Sequence, residues 1–380
     1  MSAASSFPHF IDGDVRIHIQ PDVYQLHSVV LAGYSRVLGE LVAPFYALDP
    51  LPYLQGLNHL GMREINLVGA VGRKNGIFQI QEPRQIDPDT LEFTTISGVF
   101  PIWPEETRRC WNNLFKIFYR LKPNLRDLYG LPILLDRGLE LIGLAEEIDA
   151  TDDVFHAIDS ALVGFDQELY HRISTDPVAW VNLAVRIHSG TIFQEAIIHL
   201  VGRWNSLTEC GFRALPESVR RVCIEKHAEL DLKKTATEKQ LLKYHPAPVA
   251  PHAVIHETNH PEDRDAHLWM AVAVYRQWIG QCMADGQNHQ ALDGGTSFYR
   301  TISEGGNAYL WAIDRTSLVL LPPLGEAEIQ TVQAKLSEVK NDAKRIVAPL
   351  LLNRSQYDPT IWGELPYLTC CEFRDVDIPW

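Results

Sequence analysis

DVRIHIQPDVYQLHSVVLAGYSRVLGELV, residues 14–42, changes its hydrophobic period part-way along, and that change sets the fold of the N-terminal part. Val15, Ile17 and Ile19 alternate with polar residues, the pattern of a half-buried strand. Gln20-Pro21-Asp22 supplies a turn in which proline pre-sets φ, and Val23, Tyr24, Gln25 and Leu26 form a short return strand, so the pair reads as a hairpin. Ser28 then stands where a helix cap is needed. Val30, Leu31, Tyr34, Leu38, Leu41 and Val42 follow at the three-and-four spacing of one buried helical face.

Downstream, residues 43–98 read as an irregular α/β insertion. Pro44, Pro50 and Pro52 break helical continuity, and REINLVG (63–69), IFQIQ (77–81) and LEFTTI (91–96) have the composition of short strands. Asn75-Gly76 carries a turn signal between them. From Pro104 the pattern becomes helical: Glu105 and Glu106 sit where a helix dipole favours anions, and Trp111, Leu114, Phe115 and Phe118 make an aromatic stripe. Further helices are expected over about 134–148, from a capping Asp152 onward, from Asp176-Pro177 to Ser189-Gly190, and from Thr191 through Trp204. A longer helix over about 217–244 carries so many Lys and Glu that a largely solvated surface is expected. Residues 245–261, HPAPVAPHAVIHETNHP, have linker composition. Beyond them lie a helix through Leu268, Val272, Tyr275, Ile279 and Cys282, a Gly-rich loop near 286–297, and a helical stretch around 299–312. The last long helix has a heptad-like seam of Ile329, Val332, Leu336, Val339, Ala343 and Ile346. Packing of that seam on the chain's own helices is favoured over a coiled coil with another chain, because it spans under three heptads. The fold class expected is therefore mixed and predominantly α, with an N-terminal α/β domain followed by an all-helical region.

With these elements placed, residues 14–38 resemble the opening signature of the BTB (POZ) family, in the form abundant in fungi. The matching positions are Asp14 before the first strand, Tyr24 and His27 around the end of the second, Leu31 in the first helix, and Ser35. WNNLFKIFYR (111–120) is similar to the family's aromatic helix, and LLDRGLELIGLAEEIDATDDVFHAIDSAL (134–162) resembles its next helical pair. The resemblance covers roughly 14–165 and assigns these five positions structural roles. It implies a non-enzymatic platform for protein contacts: a homodimer or homo-oligomer and, in some members, recruitment of a cullin ubiquitin-ligase scaffold. The chain departs from the compact family pattern in the length of segment 43–98, close to surfaces that cullin-binding members use, and it has no kelch-like repeat to present a substrate. The domain map expected is 1–165 BTB/POZ-like with the 43–98 insertion, 166–244 helical, 245–261 Pro/His-rich linker, and 262–380 C-terminal helical region.

Composition bounds the remaining classes. A formal charge of -14 gives no basic stripe to release counterions from nucleic acid, so no nucleic-acid partner is expected. No stretch approaches the length of a membrane span, and MSAASSFPHF lacks an export leader, so the expectation is a cytoplasmic or nuclear protein without membrane contact. Cys110, Cys210, Cys223, Cys282, Cys370 and Cys371 include no C-x-x-C pair and read as reduced thiols. The sharpest chemical candidate is HETNH, residues 256–260, which matches the H-E-x-x-H zinc pattern and offers the alternative reading of a zinc-dependent hydrolase using His256, Glu257 and His260. Pro261 disfavours helical backbone at His260, and no separately folded third ligand is indicated. A solvated linker is the favoured reading, with a weak exposed metal contact by His252, His256 and His260 next.

His27 beside Ser28 or Ser35 lacks the nucleophile elbow and orienting carboxylate of a hydrolase. Gly294-Gly295 and Gly305-Gly306 lack the Lys and Ser/Thr of a phosphate loop. Glu105-Glu106 and Asp152-Asp153 fall at helix starts, where negative charge is stabilising. No catalytic, metal or cofactor residue is therefore assigned. A third alternative, a structural subunit of a larger assembly, is motivated by the acidic charge and the C-terminal seam.

Overall fold

A computed structural model describes residues 7–43, 63–70, 73–80, 101–126, 133–246, 261–310 and 325–380. The chain is predominantly helical with a small mixed sheet near its N-terminus. It divides into two compact units: Met1–Leu169 with Leu183–Ser189, and Tyr170–Asn182 with Gly190–Trp380.

In the first unit, β1 (Val15–Ile19) and β2 (Asp22–Leu26) form the antiparallel hairpin that their alternation predicts, with Val15, Ile17 and Ile19 fully buried. Strand β3 (Arg63–Ala70) lies parallel to β1, and β4 (Arg73–Ile80) pairs antiparallel with β3, giving the order β2-β1-β3-β4. Asn75-Gly76 is not the turn that its residue types suggest; it lies inside β4. Between the pairs Val68–Ile77 and Ala70–Arg73 the register shifts, so Lys74, Asn75 and Gly76 stand opposite Gly69 alone. Gly76 takes φ +75°, and a Cβ there would lie 2.6 Å from the Trp103 ring, so glycine serves a bulge rather than a hairpin loop. LEFTTI lies outside the described residues.

Helices α1 (Ser28–Tyr34) and α2 (Arg36–Val42) follow the hairpin, and α3 (Glu105–Phe118), α4 (Leu134–Glu147) and α5 (Asp152–Val163) complete the unit's packing. The aromatic stripe of α3 is interior: Trp111, Leu114, Phe115 and Phe118 are buried, and Trp111 lies 4.6 Å from Phe78 of β4. Helix α5 begins after Thr151, so Asp152 is its first residue and favours the dipole instead of capping the end.

In the second unit, or leading into it, are α6 (Gln167–Thr175), α7 (Pro177–Ile187), α8 (Gly190–Gly202), the short α9 (Glu209–Ala214) and α10 (Glu217–Leu242). Asp176 Oδ1 accepts from Ala179 N at 3.2 Å, as expected of a cap before Pro177. Then come α11 (Pro261–Ala284), α12 (Thr296–Glu304), α13 (Glu326–Val347) and the single turn α14 (Pro359–Trp362). Helix α12 starts earlier than the 299–312 reading and stops at Gly305, where φ is +68°.

Two readings of this unit are corrected. Helix α10 is not largely solvated: Lys226, Lys234 and Glu238 are buried with Val219, Val222, Leu230 and Leu241, Lys226 and Glu238 finding Asp377, His289 and Tyr299 on other segments and Lys234 pairing with Asp231 on the same helix. In α13 the buried apolar positions are Val332, Leu336, Val339, Ala343 and Val347, while Ile329 and Ile346 are only half-buried. A straight helix drifts against a seven-residue repeat, so the seam rotates onto Val347 and serves packing against α11 and α12. All six cysteines are free thiols; five are buried and Cys210 on α9 is exposed. Among the described residues no helix is long and apolar enough to cross a membrane.

Candidate interaction surfaces

The five positions behind the N-terminal resemblance hold α1 and α2 to the rest of the first unit. Asp14 Oδ1 accepts from the backbone N–H of Ser28 at 2.7 Å, and Oδ2 from its hydroxyl at 2.6 Å. Ser28 is thus not the cap of α1; the carboxylate of Asp14 serves its orphan N–H from a distance in sequence. The backbone N–H of His27 donates to the hydroxyl of Tyr119 at 2.8 Å, and its Nδ1 lies 3.0 Å from the same oxygen. With that hydroxyl donating to Nδ1, the imidazole proton sits on Nε2, facing Asp12 Oδ1 at 3.4 Å. Burial pushes the Tyr119 hydroxyl up to about 12, so it remains a donor at neutral pH.

Tyr24 lies edge-on to Phe115 at 5.1 Å, and Leu31 is fully buried. Ser35 caps α2 by accepting from Leu38 N at 3.1 Å, and it donates to the carbonyl of Ile148 at 2.7 Å. These are fixed structural contacts. Tyr119, which closes the His27 contact, is the tyrosine that ends the aromatic helix.

Away from these contacts, Val29 of α1 is 70% exposed and Val37 of α2 is 37% exposed, and Ala32 and Gly33 of α1 are exposed as well. Val23 on edge strand β2 is also exposed.

The second unit contains a buried polar site that composition did not reveal. On α8, Glu195 is 1% exposed and His199 is fully buried. Glu195 Oε2 accepts from the backbone N–H of Gln356 at 2.8 Å, while Oε1 accepts from Tyr357 N at 3.1 Å and faces His199 Nε2 at 3.1 Å. His199 Nδ1 meets the hydroxyl of Tyr367 at 3.0 Å. Burial raises the Tyr367 hydroxyl well above its ordinary value, so it keeps its proton and donates. The Tyr–His–Glu order resembles a catalytic relay, but an imidazole closed to solvent and a tyrosine held protonated make it a clamp on the C-terminal segment. The available signal was a Glu and a His four residues apart on the otherwise apolar IFQEAIIHLVG.

Lys226 anchors the same segment. Its Nζ lies 2.9 Å from Asp377 and 3.2 Å from Glu229; burial alone lowers its pKa, but the two carboxylates outweigh that and hold it above the ordinary value. Phe193 adds edge contacts to Phe373 and Trp380. Beside this clamp, Arg300, Glu304, Asn353, Tyr357, Glu364 and Tyr367 border a cavity of 450 Å³, with Arg300 paired to Glu364 across 2.9 Å.

Two further buried groups tie α10 and α13 to described segments around α12. Lys340 of α13 donates to the carbonyls of Gly306, Tyr309 and Leu310 at 2.7, 2.6 and 3.0 Å, and burial lowers its pKa. Glu238 of α10 accepts from His289 N at 2.8 Å and from the Tyr299 hydroxyl at 2.6 Å, and it meets His289 Nδ1 at 2.7 Å. Trp278 stacks on Tyr309 at 4.2 Å, which closes the core of this region.

HETNH lies outside the described residues. Among the described residues no group of three or more His, Cys, Asp or Glu is arranged to hold a metal ion. Gly294 and Gly295 both take positive φ, and Lys234 Nζ would stand 2.9 Å from a Cβ at Gly294. That lysine fills the space beside the loop. Glu105-Glu106 and Asp152-Asp153 occupy the first turns of α3 and α5, where the helix dipole favours negative charge.

The FF domain family, in its fungal form, matches residues 245–349, the stretch containing α11, α12 and α13. No curated protein and no solved structure matches the chain. The FF domain is in general a protein-interaction module, so this stretch points to protein partners.

Proposed function

We propose that the chain is a non-enzymatic protein-interaction protein with two working parts. The N-terminal unit is a BTB/POZ-like module that self-associates through α1 and α2, and the helical region recruits protein partners through the FF-like stretch, in the cytoplasm or nucleus. The observation that supports self-association is the exposed apolar surface of Val29, Ala32 and Gly33 on α1 with Val37 on α2, two short helices whose other side is fixed by Asp14, His27 and Ser35. An apolar surface of this kind on short helices suits a self-complementary, two-fold contact. Light scattering on the full chain at micromolar concentration tests it. The expected result is a mass of at least two chains that falls to one in Val29→Lys; a strict monomer in the parent protein would refute self-association.

Recruitment of a cullin scaffold is the narrower form of the proposal. Its test is co-elution of the full chain with a cullin N-terminal region, and failure to co-elute removes the ubiquitin-ligase role while leaving the interaction role standing.

A further inference from the structure

In the first unit, residues 7–13 form an arm that belongs to no helix or strand and fills an aromatic groove of its own chain. The groove runs from the end of β2 to the end of α3, and its rings are those of Tyr24, His27, Phe115 and Tyr119. Phe10 stacks on Tyr119 with the centroids 4.3 Å apart and 17° between the planes, and it tilts against His27 at 5.5 Å. Phe7 stands edge-on to Tyr24 at 5.3 Å, to Tyr119 at 6.0 Å and to Phe115 at 6.4 Å. Stacked and edge-on contacts are the arrangements that aromatic quadrupoles favour. Asp12 Oδ1 lies 3.4 Å from Nε2 of His27, the nitrogen that carries the imidazole proton. Two aromatic residues three apart, with a carboxylate two residues further on, are therefore the chemistry that this groove accepts.

The fixed point of the arm is Gly13. It is buried, a Cβ there would lie 2.7 Å from the carbonyl oxygen of Leu26, and Gln25 Nε2 donates to the carbonyls of Ile11 and Gly13 at 3.0 Å each. Ahead of that point Pro8, His9, Ile11 and Asp12 are exposed, and Phe7 and Phe10 are half-buried. Lifting the arm thus uncovers the rings beneath it but breaks no strand pairing, the kind of local opening that costs less than unfolding the unit. We propose that the groove docks a segment of a partner protein of the form aromatic-x-x-aromatic-x-acidic, and that the arm is an internal stand-in which this segment displaces. A tethered arm competes at an effective concentration on the order of millimolar, and the partner's apparent affinity falls by the fraction of chains whose groove is open. The arm therefore restricts the groove to a segment held close by a second contact. The proposal goes beyond the α1–α2 surface and the FF-like stretch and requires neither.

The probe is the fluorescein-labelled, C-terminally amidated peptide SFPHFID, the sequence of residues 6–12, titrated by anisotropy into the full chain. Phe7→Ala/Phe10→Ala removes the internal competitor, so the variant should bind the probe at least about tenfold more tightly than the parent protein does. A probe with both phenylalanines replaced by alanine should bind neither. With benzoylphenylalanine at the second aromatic position of the probe, photolabelling of the variant should fall within 24–27 and 115–119. A single cooperative melt of the variant confirms its fold; where that is lost, Phe10→Ala, which leaves Phe7 over Tyr24, carries the same test with a gain of at least about threefold. The proposal is overturned by a variant that binds the probe no better than the parent, by equal binding of the alanine probe, or by labels outside the groove. It is also overturned by a parent mass in light scattering that falls to one chain in Phe7→Ala/Phe10→Ala, because the arm would then serve a second copy. Self-association through α1 and α2 leaves that mass unchanged, so the two readings fail separately.

Discussion

Replacing Glu195 by Gln probes the buried clamp with almost no change in volume. The carboxylate accepts from two backbone N–H groups and faces one imidazole nitrogen, using both of its oxygens. An amide supplies one oxygen. If that oxygen takes the Oε1 place it keeps Tyr357 N and His199, and its NH2 then opposes the donor of Gln356. If it takes the Oε2 place, the NH2 opposes Tyr357 N, and His199 must shift its proton to Nδ1, which deprives the Tyr367 hydroxyl hydrogen of its acceptor. Either arrangement forfeits at least one charge-assisted hydrogen bond and buries an unmatched donor. Hydrogen bonds to charged groups contribute about 1.5–3 kcal/mol, so a loss of about 2–3 kcal/mol is expected. For a domain of this size that corresponds to a fall in melting temperature of about 4–12 °C. Calorimetry on the full chain measures it, and hydrogen exchange supplies the local readout: the amides of Gln356 and Tyr357 should lose protection before the core of α8 does. A change below about 0.5 kcal/mol with both amides still protected would refute the clamp.

Other outcomes follow from the same geometry. Lys340→Met keeps the length of the side chain but leaves the carbonyls of Gly306, Tyr309 and Leu310 without their shared donor, so thermal denaturation should show a loss of about 1–3 kcal/mol. Leu336→Ala, at a buried α13 position, should cost about 2–5 kcal/mol, whereas Ile346→Ala should cost clearly less; equal costs in denaturant titrations would restore the heptad reading. Burial lowers the pKa of His18 below its ordinary 6.5, against an opposing pull from Glu64 and in the same sense as Arg16. Its stabilising contribution is complete above the unfolded value and is lost as pH falls below it, because the unfolded chain takes the proton first. Melting temperatures measured between about pH 7 and about pH 5 should therefore decline less in His18→Gln than in the parent protein. Asp14→Ala removes the carboxylate at the start of α1 and should destabilise by about 0.5–2 kcal/mol, while Ser28→Ala should cost less because the backbone N–H keeps its acceptor.

What sequence alone made legible was the part in which local pattern and tertiary environment agree. Val15, Ile17 and Ile19 alternate because one face of β1 is buried, and the α3 stripe is aromatic because it faces β4. The errors have a common physical origin in contacts made at long sequence separation. Asn75-Gly76 has hairpin chemistry, but its conformation is set by the Trp103 ring and by the register of β3. The lysines of α10 read as solvated because charge is the local signal, whereas Asp377 lies far downstream and determines the burial of Lys226. Glu195 and His199 were hidden for the same reason, since their partners Gln356, Tyr357 and Tyr367 are more than a hundred residues away.

The distribution of thiols has a practical consequence. Burial raises the pKa of Cys223 and Cys371 to about 12 and lifts those of Cys110, Cys282 and Cys370 as well, so these sulfurs present neither thiolate nor access to an alkylating reagent. Cys210, exposed on α9, is the one cysteine a maleimide reaches in the folded chain. The native sequence thus provides a single-site dye position, and the appearance of further reactive sulfurs during unfolding gives a clock for the opening of each unit: Cys110 reports the first, and the other four buried thiols report the second.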